Sequence, residues 1–135
     1  MMTPLRSETL PVREDADILL VRQLVRECAA QLGFGVLDQT KLVTAASELS
    51  RNTLIHGEGG KMLLESFVEK DRRGLRLTFE DKGPGIADLE RAMTDGFTTK
   101  GGLGLGLGGS KRLVNEFELV SRVGEGTRVT VTRWT

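Results

Sequence analysis

The sequence has one cysteine, no long apolar run and no excess of either charge, and each of these shortages excludes a class of protein. Cys28 has no second cysteine to pair with, which excludes an internal disulfide and is typical of a reducing cytoplasm. No apolar run approaches the roughly 18 residues of a membrane span, and residues 1–10 lack the charged-then-apolar pattern of a secretory signal. Basic and acidic residues both number 19, whereas nucleic-acid binding usually needs a basic excess. We therefore expect a cytoplasmic protein with no membrane and no nucleic acid among its partners.

The chain also lacks a Pro- or Ser-rich linker and any repeat of fixed period. Hydrophobic residues make up 39% of the 135 residues, which is enough to build one core without a disulfide or metal staple. We therefore expect residues 1–135 to form a single domain. Glycine is over-represented, with 17 residues, and seven of these lie between positions 96 and 109. The excess of glycine is thus concentrated in one segment of the chain.

Apolar periodicity predicts three helices and five strands. Gly33 and Gly57 are the expected stops of the first two helices, and Asp38 is the expected N-cap of the second. Helices interleaved with hairpins predict an α+β fold, namely a two-layer α/β sandwich with a mixed sheet covered on one face by helices. The predicted strands are residues 5–12, 61–69, 75–80, 118–123 and 127–134, and the predicted helices are 14–32, 38–56 and 110–117.

The first segment that could carry chemistry lies on the second predicted helix. Glu48 and Asn52 are four residues apart, so their side chains lie about 40° apart around the helix. Ala45 and Ile55 continue the same line and place the pair beside the apolar stripe. A carboxylate and a carboxamide in this position could act as a base and a neutral metal ligand. An ordinary solvated polar pair is the alternative.

The second segment, residues 80–86, follows directly after an alternating strand. Asp81 is a carboxylate at the strand end, and Gly83 and Gly85 allow the backbone of the turn to approach a ligand closely. The arrangement could accept a hydrogen bond from a bound molecule. A plain turn is the alternative, since Asp, Gly and Pro are common turn residues.

The third segment is the glycine-rich run at residues 101–109, which leads into the last predicted helix. Consecutive backbone N–H groups before a helix form an anion-binding site, and phosphate is the ligand that such sites usually bind. A dinucleotide fingerprint is a weak match here, because the run does not follow a first strand. The run does not match the Walker A phosphate-binding motif, because Ser110 follows Gly109 at the position where that motif has lysine. A flexible linker is the alternative, but leucine at every second position is a poor linker composition.

The order of the three segments resembles the GHKL ATPase superfamily, whose nucleotide pocket is called the Bergerat fold. The resemblance covers residues from about 14 to 134 and implies ATP and Mg²⁺ as cofactors. It implies that Glu48 is the general base, that Asn52 is the magnesium ligand and part of the ATP site, and that Asp81 accepts from the adenine amino group. The other ATP-binding residues that it implies are Gly83, Gly85, Ile86, Lys100, Gly101, Gly102, Leu103, Gly104, Leu105, Gly106 and Thr127.

Within that superfamily the chain is similar to the small serine/threonine switch kinases of bacterial stressosomes. Residues 48–52, 81–86, 95–104 and 111–117 carry this likeness. It implies a protein kinase that phosphorylates a STAS-domain antagonist or scaffold protein and, once released, activates a PP2C-type phosphatase. His56 and Gly57 look more like the anti-sigma branch, so an anti-sigma factor that sequesters a sigma factor is the alternative. A detached histidine-kinase ATP domain is a third and weaker one.

Overall fold

The computed structural model describes residues 3–87, 93 and 106–135. Five strands and three helices lie in these residues, in agreement with the order predicted from periodicity. The strands are β1 (Arg6–Val12), β2 (Gly60–Glu69), β3 (Arg72–Asp81), β4 (Glu116–Arg122) and β5 (Gly126–Trp134), and the helices are α1 (Asp15–Gln31), α2 (Val36–Ile55) and α3 (Gly106–Arg112).

The five strands form one sheet in the order β1-β2-β3-β5-β4, and all four pairings are antiparallel. The α+β architecture is as predicted, but the sheet is not mixed in the described residues. The reason is that β5 lies between β3 and β4. These two strands run in the same direction, and they would have formed a parallel pair had they been neighbours.

The core lies between one face of the sheet and the helices α1 and α2. Side chains alternate along each strand, so residues that share a register position form rows across the sheet on its helix-facing side. Two such rows are apolar, and the buried stripes of the helices pack on them. The rows are Leu10–Met62–Phe79–Val129–Leu119 and, two residues further along each strand, Leu64–Leu77–Val131–Phe117, which Glu8 extends in β1.

Helix α1 follows its predicted pattern. Ile18, Val21, Val25 and Cys28 are buried along one side. Gly33 ends the helix region with φ of +92°, a conformation that glycine adopts without steric strain. Burial raises the pKa of the Cys28 thiol, so this cysteine behaves as a small core side chain.

The start of α2 was predicted wrongly. Gly35, not Asp38, is the N-cap, and Asp38 lies inside the first turn. The Asp38 carboxylate accepts a hydrogen bond of 2.6 Å from the Arg133 guanidinium in β5, so it ties the helix to the sheet.

The predicted helix over 110–117 was also misplaced. The helix begins at Gly106 and ends at Arg112, and Phe117 belongs to β4. The amide of Asn115 already donates to the carbonyl of Thr132, because the chain enters the sheet there and the strand pairing overrides the helical pattern.

Candidate functional site

The row of side chains at one end of the sheet differs from the apolar rows beside it. On the helix-facing side the cross-strand register places Gly60, Asp81, Thr127 and Ser121 next to one another. Asp81 is the last residue of β3, and Thr127 is the second residue of β5. The core therefore ends in a polar strip at the place where β3 opens into the turn of residues 82–87.

Asp81 is held by the backbone around it. Its Oδ1 atom accepts hydrogen bonds from the amides of Gly83 at 2.9 Å and Thr127 at 3.3 Å. Among the described residues Oδ2 has no hydrogen-bond partner, so it can accept a donor from a ligand. Burial raises the pKa of the Asp81 carboxyl, against the two amide bonds that lower it.

Gly57 lies against the Asp81 carboxyl group. A β carbon at Gly57 would lie 2.3 Å from Asp81 Cγ, a separation that real structures do not contain. A β carbon at Gly83 would in turn lie 2.7 Å from the Gly57 carbonyl oxygen. The sequence predicted Gly57 only as a helix stop, since its contact with β3 depends on the folded arrangement.

The turn after Asp81 is closed by the hairpin between β4 and β5. Gly85 has φ of +77°, and a β carbon there would lie 2.2 Å from the Arg122 carbonyl oxygen. Both facts require glycine at this position. The next residue, Ile86, is half-buried and packs against the core. The turn thus carries an apolar side chain beside the Asp81 carboxylate.

Ser121 connects the turn to Thr127. Its hydroxyl accepts from the Ile86 amide at 2.8 Å, lies 2.8 Å from the Thr127 hydroxyl and lies 3.1 Å from the Gly126 carbonyl oxygen. Ser121 was not among the site residues predicted from the sequence. The signal that could have found it is the alternation of β4, which places residue 121 on the same side as Phe117 and Leu119.

Glu48 and Asn52 lie on the last turns of α2, and both are half-buried. Neither side chain has a hydrogen-bond partner in the described part of the chain, so both polar groups remain available. The carbonyl of Asn52 accepts the amide of Gly57 at 3.1 Å, and Gly57 contacts Asp81. The predicted helix pair and the predicted turn residue therefore belong to one neighbourhood.

The predicted phosphate-binding residues are only partly covered by the structure. Lys100, Gly101, Gly102, Leu103, Gly104 and Leu105 lie outside the described residues. Gly106 begins α3, which packs on α2, and the four residues that follow it are buried. The glycine-rich segment therefore leads into a helix that contacts the Glu48–Asn52 helix, although this helix begins earlier than predicted.

A divalent cation is compatible with this donor set, although the protein supplies few of the ligands. Within residues 3–87, 93 and 106–135, no three His, Cys, Asp or Glu side chains come together as a metal site. Mg²⁺ characteristically uses one or two protein oxygens together with water and phosphate. The carboxamide oxygen of Asn52, which has no partner in the part of the chain that the structure describes and lies one turn from the Glu48 carboxylate, fits that requirement. No described helix is both long enough and apolar enough to cross a membrane.

Comparison with known proteins assigns the chain to a family. Residues 37–134 match the family described as histidine kinase-, DNA gyrase B- and HSP90-like ATPases. The chain is 47% identical over 118 residues to the serine/threonine-protein kinase RsbT of Bacillus subtilis, covering 87% of this chain and 89% of RsbT. It is 33% identical over 121 residues to the anti-sigma F factor of a Thermoanaerobacter species, covering 84% and 82% of the two chains.

A solved structure has the same fold. The RsbU and RsbW domains of a Mycobacterium tuberculosis protein superpose with a TM-score of 0.64 at 22% identity, over 97% of this chain and 33% of that one. The family match covers well over half of the chain, and it includes Asp81, Thr127 and the Glu48–Asn52 helix. The chain therefore belongs to the histidine kinase-, DNA gyrase B- and HSP90-like ATPase family, and within it to the serine/threonine kinases that resemble RsbT.

Proposed function

We propose that the chain is an ATP- and Mg²⁺-dependent kinase that phosphorylates a serine or threonine of a STAS-domain antagonist or scaffold protein in a bacterial stress-signalling partner switch. The observation that carries the proposal is the Asp81 carboxylate, which is fixed through Oδ1 and whose Oδ2, beside the Glu48–Asn52 helix, has no hydrogen-bond partner among residues 3–87, 93 and 106–135. Membership of an ATPase family and the 47% identity to a serine/threonine kinase support the reaction type.

Asp81 would bind the adenine ring through its amino group. Oδ2 is the free acceptor, and Ile86 offers an apolar surface next to it. Thr127 would lie at the same edge of the base, since its amide already donates to Asp81. Gly83 and Gly85 would allow the base to lie close to the turn. The phosphates would bind at the glycine-rich segment, residues 100–106, because backbone amides in a run of glycines bind anions well.

Asn52 would hold Mg²⁺, with phosphate and water completing its coordination. The ion's contribution would be to neutralise charge on the transferred phosphoryl group. Glu48 would orient the acceptor hydroxyl and take its proton while the hydroxyl oxygen bonds the γ-phosphorus and ADP leaves. The half-buried position of both side chains keeps them accessible to a substrate that approaches α2.

The partner assignment depends on the likeness to RsbT-type kinases. A STAS-domain substrate, activation of a PP2C-type phosphatase by the released kinase, and a cytoplasmic location belong together in such a switch. The single buried cysteine supports the reducing compartment.

Phosphate transfer from labelled ATP tests the proposal. The wild-type chain is incubated with Mg²⁺, γ-labelled ATP and purified STAS-domain proteins, and the label on each protein is measured. We expect label on a STAS-domain protein with wild type and with Glu118→Ala, which removes an exposed carboxylate in β4, and transfer slower by about 10²–10⁴-fold with Glu48→Ala. Label transfer by Glu48→Ala at the wild-type rate would refute the assigned base.

The alternative is an anti-sigma factor, which the 33% identity to an anti-sigma F factor favours. In that case the chain would bind a sigma factor tightly in the presence of adenine nucleotide. Co-elution with a sigma factor, together with no transfer to any STAS-domain protein, would support this second function over the first.

A further inference from the structure

Ser121 is a half-buried residue that connects the candidate nucleotide site to the β4–β5 hairpin, and the family resemblance assigned it no role. It faces Thr127 directly across the β4–β5 ladder, and Thr127 faces Asp81 across the β3–β5 ladder. The three side chains therefore occupy consecutive places in the polar strip. A hydrogen bond with Ser121 therefore sets the direction of the Thr127 hydroxyl, which lies beside Asp81.

The hydroxyl of Ser121 has one proton to donate and two lone pairs to accept with. The Ile86 amide occupies one lone pair, since an N–H can only donate. The Ser121 proton then goes either to the Gly126 carbonyl oxygen, at 3.1 Å, or to the Thr127 oxygen, at 2.8 Å. The two choices leave the Thr127 hydroxyl in opposite roles.

If the proton goes to Gly126, Thr127 donates its own proton to the second lone pair of Ser121. All three contacts of Ser121 are then satisfied at once. If the proton goes to Thr127, the Gly126 carbonyl loses this donor and one contact is left unmade. Because partly buried polar groups are more stable when hydrogen-bonded, the first arrangement is favoured.

In the favoured arrangement the Thr127 proton points at Ser121, and only oxygen lone pairs remain for a ligand. Asp81 Oδ2 is likewise an acceptor. The two groups together suit a base edge that donates, such as the 6-amino group of adenine. They oppose a base with a carbonyl oxygen at that position, as in guanine or hypoxanthine.

We propose that Ser121 is a positioning residue that fixes Thr127 as an acceptor and thereby contributes to the choice of a 6-amino purine over a 6-oxo purine. The proposal rests on the adenine-nucleotide binding proposed above. Ser121 itself need not touch the nucleotide. Its effect is transmitted through the direction of one hydroxyl proton.

The test compares the affinities of ADP and inosine diphosphate, which differ at the 6-position, by calorimetry. Without Ser121 the Thr127 hydroxyl can rotate and donate to the 6-oxo group. Ser121→Ala should therefore narrow the ratio of ADP to inosine diphosphate affinity by about three- to tenfold, the effect of one hydrogen bond. Ser121→Thr keeps a hydroxyl at this place and should restore the wild-type ratio.

Two further variants separate positioning from a general structural effect. Val120→Ala changes the neighbouring residue, which is on the opposite side of β4, and should leave the ratio unchanged. In a Thr127→Val background, Ser121→Ala should no longer change the ratio, because Ser121 acts through the missing hydroxyl. If folded Ser121→Ala keeps the wild-type ratio of ADP to inosine diphosphate affinity, or loses both affinities equally, the role of Ser121 is overturned. The proposed adenine-nucleotide binding would still stand. Absence of nucleotide binding in wild type would overturn the proposed function as well.

Discussion

Gly57 in the segment after α2 and Asp81 at the end of β3 are in van der Waals contact, with no room for a β carbon between them. The contact joins the helix that carries Asn52 to the carboxylate at the sheet end. The contact makes Gly57, a residue without a side chain, part of the candidate nucleotide site.

Gly57→Ala should displace the Asp81 carboxyl and weaken ADP binding. The added methyl would lie 2.3 Å from Asp81 Cγ, so the carboxylate or the α2–β2 connection must move. The displaced carboxylate is the proposed acceptor of the adenine amino group, and a hydrogen bond to a charged group contributes about 1.5–3 kcal/mol, so we expect ADP affinity to fall by roughly 10- to 100-fold. Calorimetry with ADP measures the change. Gly35→Ala is the matched control, since no atom lies within 4 Å of a β carbon there, and equal losses in both variants would contradict the prediction.

Asp81→Asn should remove most of the rise in melting temperature that ADP and Mg²⁺ cause in wild type. A ligand that binds only the folded state stabilises it in proportion to its binding, and the substitution replaces a free acceptor with a group that can present a donor. Thermal unfolding with and without nucleotide measures the shift. If Asp81→Asn binds ADP as tightly as wild type does, the assignment of Asp81 to the base is wrong.

The free energy of unfolding without nucleotide should depend on pH through Asp81. Burial raises the pKa of this carboxyl above its ordinary value of 3.8, so the folded protein holds the proton more strongly than the unfolded chain. The resulting stability is present below the ordinary pKa and is lost as the pH rises through the folded-state pKa. Asp81→Asn lacks this loss. Its stability in urea should therefore increase relative to wild type as the pH rises above about 4, whereas a constant difference would contradict the prediction.

Glu48→Ala and Asn52→Ala should separate chemistry from binding. Glu48→Ala should bind ADP with Mg²⁺ normally while phosphate transfer falls by about 10²–10⁴-fold, the usual effect of losing a positioned base. Asn52→Ala should weaken the Mg²⁺-dependent part of ADP affinity as well as the rate. Calorimetry with and without Mg²⁺, beside a transfer assay, distinguishes them. Equal loss of affinity in both variants would mean that Glu48 is structural.

Arg133→Met should destabilise the fold by about 1.5–3 kcal/mol, the range for losing a hydrogen bond to a charged group. The Arg133 guanidinium, 15% exposed, donates to Asp38 at 2.6 Å and to the Leu113 carbonyl at 3.0 Å, so its loss removes the donor from two part-buried acceptors. Glu27→Gln is the control, because Glu27 pairs with Arg6 at the surface with 56% of its side chain exposed. Surface pairs contribute about 0–1 kcal/mol. Urea unfolding of the two variants compares them, and equal effects would contradict the role assigned to Arg133.

Local patterns predicted much of the fold. The step of three and four residues in α1, the alternation of Leu75, Leu77 and Phe79, and the Gly124–Gly126 turn all describe short-range structure that the sequence encodes directly. The misplaced start of α2 and the misplaced end of α3 have long-range causes. Asp38 has a partner 95 residues away, and Asn115 enters the sheet beside Thr132. Neither neighbour can be read from a local window.

The candidate site shows the same division. Asp81, Gly83 and Gly85 stand together in the sequence, and the structure places them in one turn around a carboxylate. The sequence did not predict Ser121 and Gly57 as site residues, because their neighbours are set by strand register and by the packing of α2 on the sheet. The order in which β5 and β4 pair decides that Ser121 meets Thr127, and that order is a property of the whole sheet.

The placement of β5 also affects how the molecule must fold. β5 follows every other strand of the described sheet in the chain, yet it lies inside the sheet between β3 and β4. A fragment that ends before Gly126 leaves β3 with an open edge and β4 with no strand to pair with. Thr127 reaches Asp81 only after a segment of 46 residues has closed. Closing long loops slows folding, so the candidate nucleotide site should be assembled late, after the hairpin of β2 and β3 has formed.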